Sequence, residues 1–249
     1  MLPKLIVTDL DGTFINRDHT ISDGNRQAVR AAQAAGVPVF FATGRPWRWL
    51  GFLHEFDDLD PLVFASNGAA DEVVRTEPID PYVGREVLDD VLAADIGALP
   101  ALEAANQFIA DEGYPMVPEL EDLTVYADVG EAMLTTEFVK LVFLRTDVTS
   151  PELGSMILPI IDGRLYASWS TLTKPGFVEI SGFGVTKAAA LRKYCHEAEI
   201  DPADIVAFGD GANDYEMLRL AGKGYTMATH DKSLNQFEVV GEANDGAFG

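Results

Sequence analysis

Cysteine, basic side chains and long apolar runs are all scarce in this 249-residue chain. The lone Cys195 excludes an intramolecular disulfide and fits a reducing compartment. Only 18 Lys and Arg stand against 40 Asp and Glu, a formal net charge of −22, so the basic footprint that nucleic acid or an anionic membrane surface needs is missing. No apolar run approaches the ~20 residues that span a bilayer. The opening Met1-Leu2-Pro3-Lys4-Leu5-Ile6-Val7 meets Asp9 too soon for a secretory signal. The expectation is a cytoplasmic protein, monomeric or homodimeric, with no nucleic-acid and no membrane partner. His19, His54, His196 and His230 have no metal-ligand spacing and receive no role. What the chain does carry is 47% hydrophobic and 23% charged residues, a globular composition that supports a packed core.

Leu5-Ile6-Val7-Thr8 reads as a short buried strand that stops at Asp9. Ser22 can cap a helix with a packing face of Ala28, Val29, Ala31, Ala32 and Ala35, and Gly36 supplies its stop. Apolar runs at Val37 to Ala42 and Leu62 to Ala65 follow, ending in Thr43-Gly44-Arg45-Pro46 and Ser66-Asn67-Gly68. Strand, helix, strand with short joints predicts parallel pairing through right-handed crossovers, an α/β doubly wound sheet. Near Pro78 and Pro81 the pattern changes to a separate α+β lobe: helix, strands at Thr124 to Ala127 and Phe138 to Leu144, helix around Glu152 to Ile161, strand at Leu165 to Trp169. The doubly wound pattern then resumes with a helix from Lys187 to Glu197, a strand at Ile205 to Phe208, a helix through Met217 and Leu220, and a strand at Tyr225 to Ala228. The predicted organisation is a discontinuous core, residues 1–80 and 176–249, interrupted by an inserted domain, 81–175.

Two acidic clusters follow strands. Asp9-Leu10-Asp11-Gly12-Thr13 sets two carboxylates side by side where repulsion and desolvation oppose them, so a cation stabilises them best. Oxygen donors without His or Cys favour Mg²⁺. An ordinary turn of solvated acids is the plain alternative. Gly209-Asp210-Gly211-Ala212-Asn213-Asp214 follows another apolar strand, and ligands of open α/β sheets bind beyond the carboxyl ends of strands where their order reverses. If the first and fourth core strands are neighbours, Asp210 and Asp214 converge on Asp9 and Asp11. Thr43, Gly44 and Arg45 end another strand, where a hydroxyl and backbone N–H groups could hold a phosphoryl oxygen. Lys187 lies in the first turn of a helix capped by Thr186, a position the macrodipole disfavours, so either an anion compensates it or it is a solvated surface lysine.

Asp-Leu-Asp-Gly-Thr at 9 to 13, Thr-Gly-Arg at 43 to 45, Lys187 and Gly-Asp-Gly-Ala-Asn-Asp at 209 to 214 together resemble the four motifs of the haloacid dehalogenase-like phosphatases. The intervening lobe resembles the α/β cap of their Cof-type branch. Supporting echoes are Ser66-Asn67-Gly68-Ala69, Val178-Glu179-Ile180 ahead of Gly184-Val185-Thr186-Lys187, and Asn244-Asp245-Gly246-Ala247. The resemblance implies a Mg²⁺-dependent phosphatase for small phosphorylated metabolites, sugar phosphates or nucleotide-like cofactors. Asp9 would be nucleophile and metal ligand, and Asp11 the acid/base, binding metal through its backbone carbonyl. Thr43 and Lys187 would hold the transferring phosphoryl group, helped by Gly44, Arg45 and Asn213, while Asp210 would ligate the metal and Asp214 orient its waters. A phosphosugar mutase of the same superfamily and a non-catalytic metabolite-binding module are the alternatives. Phe14 departs from the aliphatic residue commoner at its position. Trp47 and Trp49 could line an entrance, although packing is their commoner use. Asp57, Asp58, Asp60, Asp89 and Asp90 read as solvated surface, and Glu103, Asp111, Glu112, Glu119, Glu121 and Asp122 as an acidic field on the inserted domain that repels phosphorylated compounds.

Overall fold

The computed structural model describes residues 2–16, 18–59, 62–68, 70–71, 77–104, 107–115, 124–169 and 172–241. Ala69, Asp60, Glu119, Glu121, Asp122 and the 244–247 string lie outside them. In chain order the first elements are β1 (Leu5–Thr8), α1 (Asp23–Ala34), β2 (Val39–Ala42), β3 (Leu62–Ala65) and β4 (Ala70–Asp71). Next come α2 (Pro81–Ala93), β5 (Leu99–Ala104), β6 (Phe108–Ala110), β7 (Thr124–Tyr126), α3 (Val129–Ala132), β8 (Phe138–Arg145), α4 (Ser150–Ile161), β9 (Tyr166–Ser168) and β10 (Gly176–Ser181). The chain closes with α5 (Lys187–Glu197), β11 (Ile205–Gly209), α6 (Tyr215–Leu220), β12 (Lys223–Thr226) and β13 (Glu238–Val239). Among the described residues no helix is long and apolar enough to cross a membrane.

The chain divides into two compact units, Met1–Arg45 with Trp49–Arg75 and Thr186–Gly249, and Pro46–Arg48 with Thr76–Val185. The first unit holds a seven-stranded sheet ordered β13-β12-β11-β1-β2-β3-β4, parallel except for β4. Its central strands are buried on both faces, as helix-covered parallel strands must be. Leu5 and Val7, Phe40 and Ala42, Phe64 and Ala207 pack with Ala188, Leu191 and Cys195 of α5. The alternate residues Val39, Phe41, Val63 and Ala65 face Val29 of α1 and the 3₁₀ stretch Gly51–Leu59. Sidedness therefore follows the period of two along each strand. Ser22 caps α1 as expected, accepting from the Asn25 N–H, and Gly36 follows with φ +76. Phe14, unusual on sequence grounds, is wholly buried with its ring centroid 4.9 Å from Phe41 and 5.9 Å from Phe56, and it fills that core.

The second unit holds a six-stranded sheet ordered β7-β6-β5-β8-β10-β9, antiparallel except for the parallel pair β6–β7. Two differences from the sequence reading stand out. The core was expected to resume at residue 176, but β10 pairs with β8 and β9, and the division falls between Val185 and Thr186. Strands β5 and β6 were not anticipated, because Pro100 and Glu103 break the apolar run of Leu-Pro-Ala-Leu-Glu-Ala. Pro100 sits where β6 no longer runs beside β5, which makes a proline tolerable in an otherwise central strand.

Truncating Phe14 removes a buried ring whose neighbours are themselves rings in fixed tilted contact. Phe14→Ala is therefore expected to cost about 3–5 kcal/mol in urea unfolding, while Phe183→Ala stays within about 0.5 kcal/mol. Phe183 is 77% exposed, so equal losses for both would show that the ring cluster contributes no packing energy.

Candidate active site

Strands β1 and β11 run parallel in register, Thr8 beside Phe208, and the Asp9 N–H donates to the Phe208 carbonyl at 2.9 Å. This pairing brings the two acidic loops to one end of the sheet. It is also where strand order reverses, since β2 and β3 extend one way from β1 and β12 and β13 the other from β11. The condition for the two acidic clusters to converge, that the first and fourth core strands be neighbours, is thus met. Gly12 makes the closeness possible: its φ is +82, and a Cβ there would lie 2.3 Å from Oδ2 of Asp210.

Asp9, Asp210 and Asp214 each offer a carboxylate oxygen, and these atoms all lie within 4.8 Å of one another. Lys187 inserts its ammonium between two of them, 2.5 Å from Asp9 Oδ1 and 2.6 Å from Asp214 Oδ1, and is itself only 1% exposed. It is not a surface lysine. Burial works against its charge, but Asp214 and Asp9 override that and hold its pKa above the usual lysine value. The macrodipole at the start of α5 is compensated by the same two carboxylates, with Thr186 capping through the Ala189 N–H. One cation does not balance three acids. Burial pushes the Asp9 carboxyl well above its ordinary range against the pull of Lys187, and Asp214, Asp210 and Asp11 push the same way. Asp210 is pushed up to about 7, first by burial and then by Asp214, with Thr13 opposing through a 3.1 Å hydrogen bond from its hydroxyl to Oδ1.

The three acids differ in what remains open on them. Asp214 is saturated: Oδ1 takes Lys187, and Oδ2 accepts from the N–H groups of Asp210 at 3.1 Å and Gly211 at 2.9 Å, so it organises its own loop. Asp9 spends Oδ1 on Lys187, and among the described residues Oδ2 accepts no hydrogen bond. Asp11 does not join this group through its side chain. Its carboxylate is clamped by Arg45, with Nε 2.8 Å from Oδ2 and Nη2 2.5 Å from Oδ1. Nη2 also lies 3.2 Å from Nδ1 of His19, a residue given no role from sequence, which accepts in the tautomer that fits. Thr43 is buried, and its Oγ1 accepts from the Arg45 N–H at 3.0 Å, leaving the hydroxyl proton to donate elsewhere. Asn213 donates through Nδ2 to Oδ1 of Asn67 at 3.2 Å. Thr13, His19 and Asn67 are the residues sequence reasoning left without a function. Thr13 and Asn67 stand inside strings already singled out, so their signal was position next to a strand end.

In the second unit the expected acidic field is partly dissolved. Glu103 is buried in an ion pair with Arg48 and faces Lys140 across the strand pair, and Lys140 in turn pairs with Glu179. Asp111 accepts from the Val129 N–H at 2.8 Å at the start of α3. Trp47 is 45% exposed.

Comparison with known proteins gives the chain's family. The chain matches the haloacid dehalogenase-like hydrolase family over residues 6–240. It is 28% identical over 243 residues to YxeH of Bacillus subtilis (strain 168), covering 90% of this chain and 87% of that one. It is 25% identical over 251 residues to the HMP-PP phosphatase of Yersinia pseudotuberculosis serotype O:1b (strain IP 31758), covering 96% and 90%. Its fold superposes on the sugar phosphatase BT4131 with a TM-score of 0.81 at 23% identity, covering 98% and 95%. A family match across nearly the whole chain, on a doubly wound core, makes this protein a member of the haloacid dehalogenase-like hydrolase family, Cof-type.

Proposed function

We propose that this protein is a Mg²⁺-dependent phosphatase that hydrolyses small phosphorylated metabolites, sugar phosphates or nucleotide-like cofactors, through an aspartyl-phosphate on Asp9. The observation that carries the reading is the charge of the buried cluster: three carboxylates against one ammonium leave a net formal charge of −2, in a donor set made only of oxygen. A small hard divalent cation fits that set in charge and in ligand type. Asp9 and Asp210 would hold it, with the Asp11 backbone carbonyl, and Asp214 would orient its waters. When bound, it would neutralise charge on the carboxylates and on the phosphoryl oxygens.

The residues then have distinct tasks. Lys187 fixes one oxygen of Asp9, so the other is presented to phosphorus in line with the leaving oxygen. As the Asp9–phosphorus bond forms and the ester bond breaks, Thr43, Lys187, the backbone at Gly44 and Asn213 donate to the phosphoryl oxygens. Asp11 gives its proton to the leaving oxygen. It then takes one from the water that attacks phosphorus, releasing phosphate and restoring Asp9. Arg45, which in this structure holds the Asp11 carboxylate through two N–H donors, would turn to the phosphoryl group as Asp11 takes up the proton it transfers. We assign the choice of leaving group to the second unit, as an inserted cap. The phosphatase names carried by relatives from Yersinia and by BT4131 support the substrate class.

Two outcomes are expected. Asp9→Asn should lower Mg²⁺-supported turnover of p-nitrophenyl phosphate at least about a thousandfold with an unchanged melting profile, and retained turnover would remove Asp9 as nucleophile. The second concerns pH. Because the folded protein holds the Asp210 proton up to about 7 and the unfolded chain releases it near the ordinary value of 3.8, metal-free protein loses stability as pH rises between those values. A divalent cation needs the deprotonated carboxylates, so the rise in melting temperature caused by Mg²⁺ should grow from about pH 5 to about pH 8. A rise independent of pH would contradict the proposed ligands.

A further inference from the structure

The turn after β3 is a motif from the sequence that the proposed chemistry leaves unused. Ser66, Asn67 and Gly68 all have left-handed backbones, with φ of +51, +58 and +93. Two consecutive residues with side chains rarely hold that conformation, least of all when buried, and both of these are. The surroundings over-determine the turn. Ser66 and Asn67 donate backbone N–H bonds to the carbonyls of Arg45 at 2.9 Å and Thr43 at 2.8 Å. Gly68 lies so close to the start of α5 that a Cβ would sit 2.7 Å from the Ala190 Cβ and 3.1 Å from the Thr186 carbonyl. Through its side chain Asn67 accepts from Asn213. One three-residue turn therefore touches the loop that carries Thr43 to Arg45, the helix that begins at Lys187 and the loop that carries Asn213.

Asn67 is 6% exposed, and its amide packs over Gly44, where a Cβ would meet Oδ1 at 3.4 Å and Nδ2 at 3.8 Å. Oδ1 is used by Asn213, whereas Nδ2 makes no hydrogen bond among the described residues. A buried amide that spends its acceptor on a neighbour and keeps its donors is arranged for an acceptor that comes from outside the chain. We propose that Asn67 is a substrate-binding residue: its Nδ2 and the remaining N–H of Asn213 Nδ2 donate to a phosphoryl oxygen beside Gly44. This rests on the phosphatase reading above and adds a donor from the β3 turn to the set supplied by Thr43, Lys187 and Asn213.

Inorganic phosphate, the product, is the probe, scored as an inhibitor of Mg²⁺-supported p-nitrophenyl phosphate turnover. Asn67→Gly removes the amide and tolerates the left-handed backbone, so the fold is retained. Asn67→Asp keeps an oxygen for Asn213 and replaces the donor with a negative charge. The expected result is a rise of about tenfold to hundredfold in both KM and the phosphate inhibition constant for Asn67→Gly, a larger rise for Asn67→Asp, and melting temperatures close to the parent's. Wild-type constants in both variants would overturn the proposal. So would a weakened Asn67→Gly beside an unaffected Asn67→Asp, because Asn67 would then act only through Asn213. Failure of the unmodified protein to be inhibited by phosphate at all would instead reject the phosphatase reading on which the proposal rests.

Discussion

Three buried carboxylates sharing one ammonium set the terms for everything around them. Asp9, Asp210 and Asp214 are drawn together by the parallel pairing of β1 with β11, and Lys187 enters from the first turn of α5. Left alone, such a group resists folding, since burial favours protonation of Asp9 and Asp210. The surrounding chain is shaped to hold it anyway. Gly12 yields its Cβ space to Asp210, Asp214 ties the N–H groups of its own loop, and Lys187 sits where only a pair of anions would keep it. On the proposed reading the unmet charge is the functional feature: it would create affinity for a divalent cation beside the Asp9 oxygen that accepts no hydrogen bond among the described residues.

The second unit shows the contrasting case. Arg48 with Glu103 and Lys140 with Glu179 also form ion pairs with little exposure to solvent, and Glu103 stands opposite Lys140 across β5 and β8. The net contribution of such pairs to stability is small compared with the cost of breaking one side. Burial of charge by itself does not mark a reactive site. Three carboxylates against one ammonium are the feature on which the proposed site rests, and they occur in the unit built on the parallel sheet.

Much of this was legible in the chain. Short apolar runs ending in acid, Thr-Gly-Arg or Gly-Asp marked the strand ends that meet at the candidate site, because fully buried parallel strands leave their loops as the polar punctuation. Lys187 could be read as anomalous from its place in a capped helix. The second unit was harder. Its strands are short, β5 contains Pro100 and a buried Glu103, and β10 stands next to the core motifs in sequence while pairing with β8 and β9. The residues of a short strand carry no local signature of which sheet it joins. His19 and the side-chain role of Asn67 were hidden for another reason: both depend on a tertiary neighbour, Arg45 in one case and Asn213 in the other. The clamp on Asp11 was hidden likewise, since nothing in the spacing of residues 11 and 45 announces a bidentate pair.

Titration calorimetry of Mg²⁺ into the folded protein, beside an Asp210→Asn variant of matched melting temperature, tests the central claim most directly. The account predicts saturable uptake of about one ion per chain that the variant loses. Undiminished uptake by the variant, or none by the parent protein, would contradict it.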